Sequence, residues 1–218
     1  MNNMASPNIT TIIIVVTGLG LVTFFVVTMT SFIKISVVMF LLRNALGIQQ
    51  TPPNIILYGI ALVLTIFTSA PVVREISKEM QDPALKFETI QDWITVSERA
   101  REPIRTYLLK FTKSSEREFF VSATKRIWPE EMRQDMSPSD LSILIPSFVI
   151  SELRRAFVIG FLIYLPFIAI DLIVSAILMA LGMSMVPPIT ISVPFKLFLF
   201  VSIDGWSKLF HGLVLSYG

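Results

Sequence analysis

The single histidine of the chain, His211, has no second His, no Cys and no HExxH-like spacing near it, so it forms neither a metal site nor a nucleophile-activating pair. A Ser-His hydrolase would need a nucleophile turn such as G-x-S-x-G, and none occurs; Walker A and dinucleotide-binding glycine patterns are missing too. With no Cys at all, disulfides, thiolate chemistry and Cys-ligated metal fall away together, and the redox compartment is unreadable. Carboxylates at acid-base spacing do occur, as Glu98 and Glu102 at i, i+4, but Arg99, Arg101 and Arg105 surround them. That pattern is read as a solvated, self-neutralising helix face. The expectation is a protein without a catalytic site, cofactor or metal.

Eight charges set in or beside apolar runs are more informative: Lys34, Arg43, Glu152, Arg154, Arg155, Asp171, Lys196 and Asp204. A charge in an apolar setting must find a partner, because desolvating it alone is costly. Interhelical or intersubunit pairing is one role for them; an ion or proton pathway is the sharper alternative, weakened because the acids are not arrayed at one depth with a second set. The segment Gly182-Met-Ser-Met-Val-Pro-Pro188 also stands out. Its prolines end helical geometry while Met183 and Met185 project unbranched, polarizable side chains that seal irregular gaps. Ordinary packing and a pore constriction both fit that chemistry.

The elements that would position these groups are mostly apolar helices. Hydrophobic residues make up 53% of the 218 and charged residues only 16%, against roughly 25% charged for a soluble domain. So few charges cannot clothe a soluble globule, and a net charge of +2 without a clustered basic face gives no footprint for nucleic acid. Ile9 to Leu42 is interrupted only by Lys34, and Asn54 to Val73 is 20 residues without a charge; both are long enough to span a bilayer. Met1 to Asn8 has no Lys or Arg, and the apolar run that follows exceeds a signal-peptide core with no small-x-small cleavage site behind it. It reads as a retained membrane helix. Gly47 and the pair Pro52-Pro53 make the connector from Arg43 a tight turn.

Three regions follow: apolar helices over 1–73, a charged helical insert over 74–140, and apolar helices over 141–218 with the methionine loop near 182–188. The insert holds 12 Lys/Arg and 13 Asp/Glu in 67 residues. Ile104, Tyr107, Leu108 and Phe111 fall on one helical stripe. Ser115 with Glu118 predicts a capping box ahead of Phe119, Phe120, Ala123 and Ile127, a helix ended by Trp128-Pro129. Ser137-Pro-Ser-Asp140 predicts the next helix start, with Ser137 as its N-cap.

In the last region Ala156 to Ile170 is only 15 charge-free residues, ~22 Å of helix against a hydrocarbon core of roughly 30 Å. Pro194, Lys196 and Asp204 interrupt the final run. A central Asp or Lys costs about 2.5 to 3.5 kcal/mol where an apolar residue returns about 0.3 to 0.6, so these helices are expected to sit shielded by protein rather than bathed in lipid. If the first two helices span, the insert lies on the side of the N-terminus, and Arg43 in the short connector places that side outside the cytoplasm. No internal repeat suggests the inverted halves of a transporter. A stand-alone ion- or solute-coupled transporter and a scaffold without a conduit remain the competing readings.

Several ordered stretches together resemble one family: Thr30-Ser-Phe-Ile-Lys34, Leu42-Arg-Asn-Ala-Leu-Gly-Ile-Gln-Gln50 with Pro52-Pro-Asn54, Ser151-Glu-Leu-Arg-Arg-Ala-Phe157, Gly160-Phe-Leu-Ile-Tyr-Leu-Pro-Phe167, Ile170-Asp-Leu172, Gly182-Met183, Ile191-Ser-Val-Pro-Phe-Lys196 and Asp204-Gly-Trp206. They are similar to the SctR/FliP family of type III secretion export-apparatus proteins, with the virulence-injectisome branch, SctR, favoured over flagellar members that carry a cleavable signal. The resemblance implies an export-gate protein of the bacterial inner membrane, where the external insert expected from Arg43 would lie on the periplasmic side of an all-α integral membrane protein. It implies five copies in a ring with SctS-like and SctT-like subunits around a conduit for unfolded secreted proteins, beside SctU-like and SctV-like components. In that family many hydropathy-predicted spans sit raised above the bilayer plane within the assembly. The resemblance also gives the methionine loop a gasket role, mapping to Met183 and Met185, with Ser184 and Val186 interrupting the usual methionine run.

Overall fold

A computed structural model describes residues 9–81, 90–133 and 136–218. Met1 to Asn8, on which part of the retained-helix reading rests, and the insert positions 82–89 and 134–135 lie outside these residues. Among the described residues the chain is helical without strands: α1 (Ile9–Met29), α2 (Phe32–Ala45), α3 (Asn54–Met80), α4 (Ile90–Phe111), α5 (Ser114–Ile127), α6 (Leu141–Ala180), α7 (Pro188–Ser202) and α8 (Gly205–Leu215). By length and composition α3 and α6 can each cross a membrane, and the bent pairs α1–α2 and α7–α8 could supply two more spans.

The centre of the fold is α2, which packs on both α3 and α6. Seven of its 14 residues are buried. One core cluster joins Ile35, Val38 and Met39 of α2 to Leu57 and Ala61 of α3, Ala156 of α6 and Leu213 of α8. A second joins Leu42 and Ala45 to Phe167 of α6 and Phe200 of α7. Helices α2 and α6 approach closely at Gly160, where a Cβ would lie 3.0 Å from Leu41 Cβ and would run into the end of that side chain. A small residue at a helix crossing is what lets two apolar backbones come this near.

The Ile9 to Leu42 run is not one helix, as its composition suggested, but two, bent by 69° between Val16–Met29 and Phe32–Ala45. Thr30 causes the break: its hydroxyl donates back to the Val26 carbonyl and accepts the Phe32 amide at 3.3 Å, interrupting the helical ladder. The charge-free run of Asn54 to Val73 is continued by α3 through Pro71 and on to Met80, so the composition change at residue 74 falls inside a helix. The 15-residue run of Ala156 to Ile170, read as too short to span, belongs to a helix of 40 residues, ~60 Å long. Charge content delimits hydropathy, whereas helix length follows backbone propensity, and Glu152, Arg154 and Asp171 are good enough helix residues once partnered.

Within the insert, the stripe of α4 is observed: Leu108 and Phe111 are buried against Leu144 and Phe148 of α6, with Ile104 and Tyr107 packed alongside. The predicted capping box is not formed, for α5 starts at Ser114 after Lys113 with no side-chain cap. Trp128 does end it. The Ser137 start is also displaced: α6 begins at Leu141, and Ser137 to Asp140 is a separate turn in which the Asp140 carboxylate accepts the Ser137 amide at 2.8 Å. The acid reaches back as a capping box would, but the proline-bearing segment closes a turn rather than the first coil of a helix.

At the far end of α6 a Schellman motif stops the helix: Met183 N donates to Leu178 O at 2.9 Å and Gly182 N to Met179 O at 3.1 Å, with Gly182 at φ +69°. Pro188 then opens α7. Asp204, at φ 53° and ψ 50°, turns the chain from α7 into α8 with a bend of 62°.

Candidate functional site

The elements above bring three charges and a phenol to one point in the core. Lys34 and Glu152 are 1% and 0% exposed, with Lys34 Nζ 3.3 Å from Glu152 Oε2. On its other oxygen Glu152 accepts Arg155 Nη1 at 2.7 Å, and the Tyr217 hydroxyl donates to Oε2. Lys34 Nζ also stands 3.5 Å above the Tyr217 ring centroid, a cation–π contact that strengthens as water is removed. The carboxylate is thus fully used, and the one excess positive charge sits mainly on Arg155, which is a third exposed. Tyr217 is clamped in turn by Phe111, 5.0 Å away between ring centroids. Burial, aided by the Glu152 charge, raises the pKa of both Tyr217 and Tyr107 above the usual phenol range.

Small polar residues surround this point. Ser31 bridges α2 to α3 through Thr65 at 3.3 Å and Thr68 at 2.6 Å. Ser151 accepts the Lys113 amide at 3.1 Å and donates to the Ser147 carbonyl at 2.7 Å, which fastens the start of α5 to α6.

A second ionic knot lies toward the other end of α2. Lys196 of α7, 4% exposed on its side chain, donates to Asp171 Oδ2 of α6 at 2.6 Å and to the Ala45 carbonyl at 3.2 Å. The Ala45 carbonyl is among the orphan acceptors at the C-terminus of α2, where a cation is doubly favoured. Three helices meet on one ammonium group.

The remaining predicted residues are not drawn into either knot. Arg43 donates to Asn54 Oδ1 at 2.6 Å and to the Pro52 carbonyl at 3.3 Å, bracing the α2–α3 connector. Arg154 lies 3.7 Å from Glu116 of α5. Asp204 makes no ion pair among the described residues and serves as the left-handed corner. Met183 and Met185 are 43% and 95% exposed at the tip of the α6–α7 hairpin. His211 lines a shallow apolar hollow with Leu64, Phe67 and Phe210, and the described residues contain no cluster of three or more His, Cys, Asp or Glu suited to a metal ion.

Sequence reasoning missed Tyr217, Glu116 and Asn54. A tyrosine following an apolar run carries no sign of a buried carboxylate partner, and Glu116 looked like one solvated acid among many. Chemically, the arrangement contains donors, acceptors and fixed charges that hold helices together, without a nucleophile activated by a base.

The sequence signature described as the FliP family matches residues 15–213. The chain is 56% identical over 211 residues to the probable translocation protein y4yL of Sinorhizobium fredii, covering 97% of this chain and 95% of that protein. It is 47% identical over 212 residues to the Yop proteins translocation protein R of Yersinia pestis, covering 97% and 98%. With the hypersensitivity response secretion protein HrcR of Ralstonia nicotianae it shares 42% identity over 216 residues, covering 98% and 100%.

Proposed function

The chain belongs to the FliP family, and on that premise we propose that it is a membrane subunit of the export apparatus of a bacterial type III protein secretion system. The observation that carries this reading is similarity over nearly the whole chain to proteins named for translocation and secretion, so the likeness is not confined to one shared module. The stand-alone transporter finds no support in those relatives. In this reading the chain is not an enzyme, and energy for transport comes from other components.

The finer statements belong to the same proposal. Five copies form a ring in the inner membrane with SctS-like and SctT-like subunits, beside SctU-like and SctV-like components, and the 74–140 insert faces the periplasm. Met183 and Met185 close the conduit until an unfolded substrate passes. Two features favour assembly: only 17% of the most apolar window of α3, and the same of α6, is buried within the chain, and large side chains such as Phe67, Phe161 and Phe198 are more than 60% exposed. Such surface needs lipid or neighbouring protein. The ionic knots are closed within one chain, so in this proposal Lys34, Glu152, Arg155, Asp171 and Lys196 act on assembly by fixing the shape of the subunit, while Arg43, Arg154 and Asp204 are left near its surface.

Purifying a tagged chain from membranes and identifying stoichiometric companions tests the reading. Untagged copies and two small hydrophobic proteins are expected; a single chain that catalyses solute flux alone in liposomes would overturn it.

A further inference from the structure

A hollow of about 390 Å³ lies where the chain enters α5 beside α6. Lys113, Arg154 and Arg155 line it together with the buried Lys34, and Val158 and Ile159 give it an apolar part. These four cations meet two carboxylates: Glu152, which Lys34 and Arg155 share, and Glu116, 3.7 Å from Arg154. Lys113 is half-buried and makes no ion pair among the described residues. Its position is fixed by its backbone amide, which donates to Ser151 Oγ of α6 at 3.1 Å. The hollow thus holds two positive charges that its own acids do not offset. Like charges gathered in a partly dry setting repel one another, and an anion seated among them relieves that cost.

Immediately after Arg154 and Arg155 the charge-free run of 156–170 begins, so the hollow stands where α6 passes from ionic to apolar surroundings. Val158, Phe161 and Leu165 follow Arg154 by 4, 7 and 11 residues. Each interval is close to a whole number of helical turns, so the four residues share one face. The three apolar side chains are 54%, 61% and 46% exposed. Helix α6 is long and apolar enough to cross a membrane, and the charge-free run is ~22 Å of helix against ~15 Å for one leaflet, half of the hydrocarbon core. A free phosphate would neutralise the cations and leave the apolar stripe bare. An apolar helix would cover the stripe and leave the cations unmet. A molecule with an anionic head and a hydrocarbon tail answers both, and basic pockets beside apolar helices hold such headgroups.

We propose that an anionic phospholipid seats here, its phosphate among Lys113, Arg154 and Arg155 and one acyl chain along Val158, Phe161 and Leu165. The inference goes beyond the secretion reading and does not depend on it; it requires only that this face of α6 meets lipid.

The full chain, purified together with its membrane companions, is placed in phosphatidylcholine nanodiscs that carry a trace of phosphatidylglycerol with a diazirine on its acyl chain. Parallel discs carry phosphatidylcholine with the same diazirine chain. After illumination, mass spectrometry locates the label on the segment following Arg155. Stronger labelling of Val158 to Leu165 by the phosphatidylglycerol probe is expected. Lys113→Gln should cut that labelling about fivefold, the effect of one cation at a lipid surface, and Lys113→Arg should keep it. Neither substitution touches the buried Lys34–Glu152 pair, so folding is spared. Equal labelling by both probes would overturn the proposal, as would a preference that Lys113→Gln leaves intact. Loss of the label on adding inorganic phosphate would make the hollow a site for free anions and overturn the lipid. A stripe labelled by neither probe would show that protein covers it, which also overturns the proposal and leaves the secretion reading standing.

Discussion

The Lys34 ammonium and the Glu152 carboxylate form an ion pair at 3.3 Å that joins α2 to α6 in the core, both side chains sealed from water. Arg155 and Tyr217 complete the carboxylate's shell from outside the pair. Breaking a buried pair from one side leaves an uncompensated charge, whereas replacing both partners with apolar groups removes the desolvation cost as well.

Glu152→Ala should therefore destabilise the chain by about 3–5 kcal/mol, while Lys34→Met combined with Glu152→Met should cost much less. Detergent-resistant recovery after graded heating measures the order. Equal losses in the single and double variants would show that packing, not charge, sets the cost.

Asp171→Ala and Lys196→Ala should each lower oligomer yield more than membrane content of the monomer. Asp171 is 39% exposed, so its loss is cushioned by solvent, but it leaves Lys196 only the Ala45 carbonyl. Native-gel recovery against total membrane protein reads the ratio, and Lys196→Ala should be the harsher change because the Ala45 carbonyl loses its donor too. Undiminished complex with either variant would remove the knot from assembly.

Replacing Met183 and Met185 together with Gly should let the closed assembly leak small solutes, because the thioether side chains fill irregular gaps that Gly leaves open. Growth sensitivity to a small impermeant toxin is the readout. A correctly assembled complex with unaltered permeability would take the seal away from these residues.

Tyr217 and Tyr107 should resist ionisation as pH rises through 10, the ordinary phenol value. Their folded pKa is raised, so the stabilisation they report is complete below pH 10 and declines above it, where the unfolded chain ionises first. A phenolate absorbance titration in detergent should show Tyr107 and Tyr217 ionising at higher pH in the folded chain than once the chain is denatured, assigned by Tyr107→Phe and Tyr217→Phe. A native titration that neither Tyr107→Phe nor Tyr217→Phe alters at high pH would refute the buried phenols.

Much of this architecture is legible in the residue order because it depends on local chemistry. Apolar run length marks the stretch that holds α1 and α2, and the start of α3; the i, i+3, i+4, i+7 spacing of Ile104 to Phe111 marks α4; Trp128-Pro129, Gly182 and Pro188 mark ends that backbone geometry alone enforces. The eight charges in apolar surroundings are visible for the same reason, since any ion in such a setting needs a partner. Which partner it takes is decided elsewhere. Glu152 meets Lys34 and Tyr217 only because Gly160 lets α2 and α6 close together, and Lys196 reaches Asp171 and Ala45 only because the turn at Gly182 folds α7 back along α6. Local rules also misjudged the Thr30 break, the start of α5 at Ser114 and the length of α6, each governed by hydroxyl back-bonding or by packing partners remote in the chain. The sequence by itself determined that these helices must be apolar, interrupted and mutually shielding; the tertiary structure decided which charges neutralise one another, because pairing depends on distances that only the packed helices set.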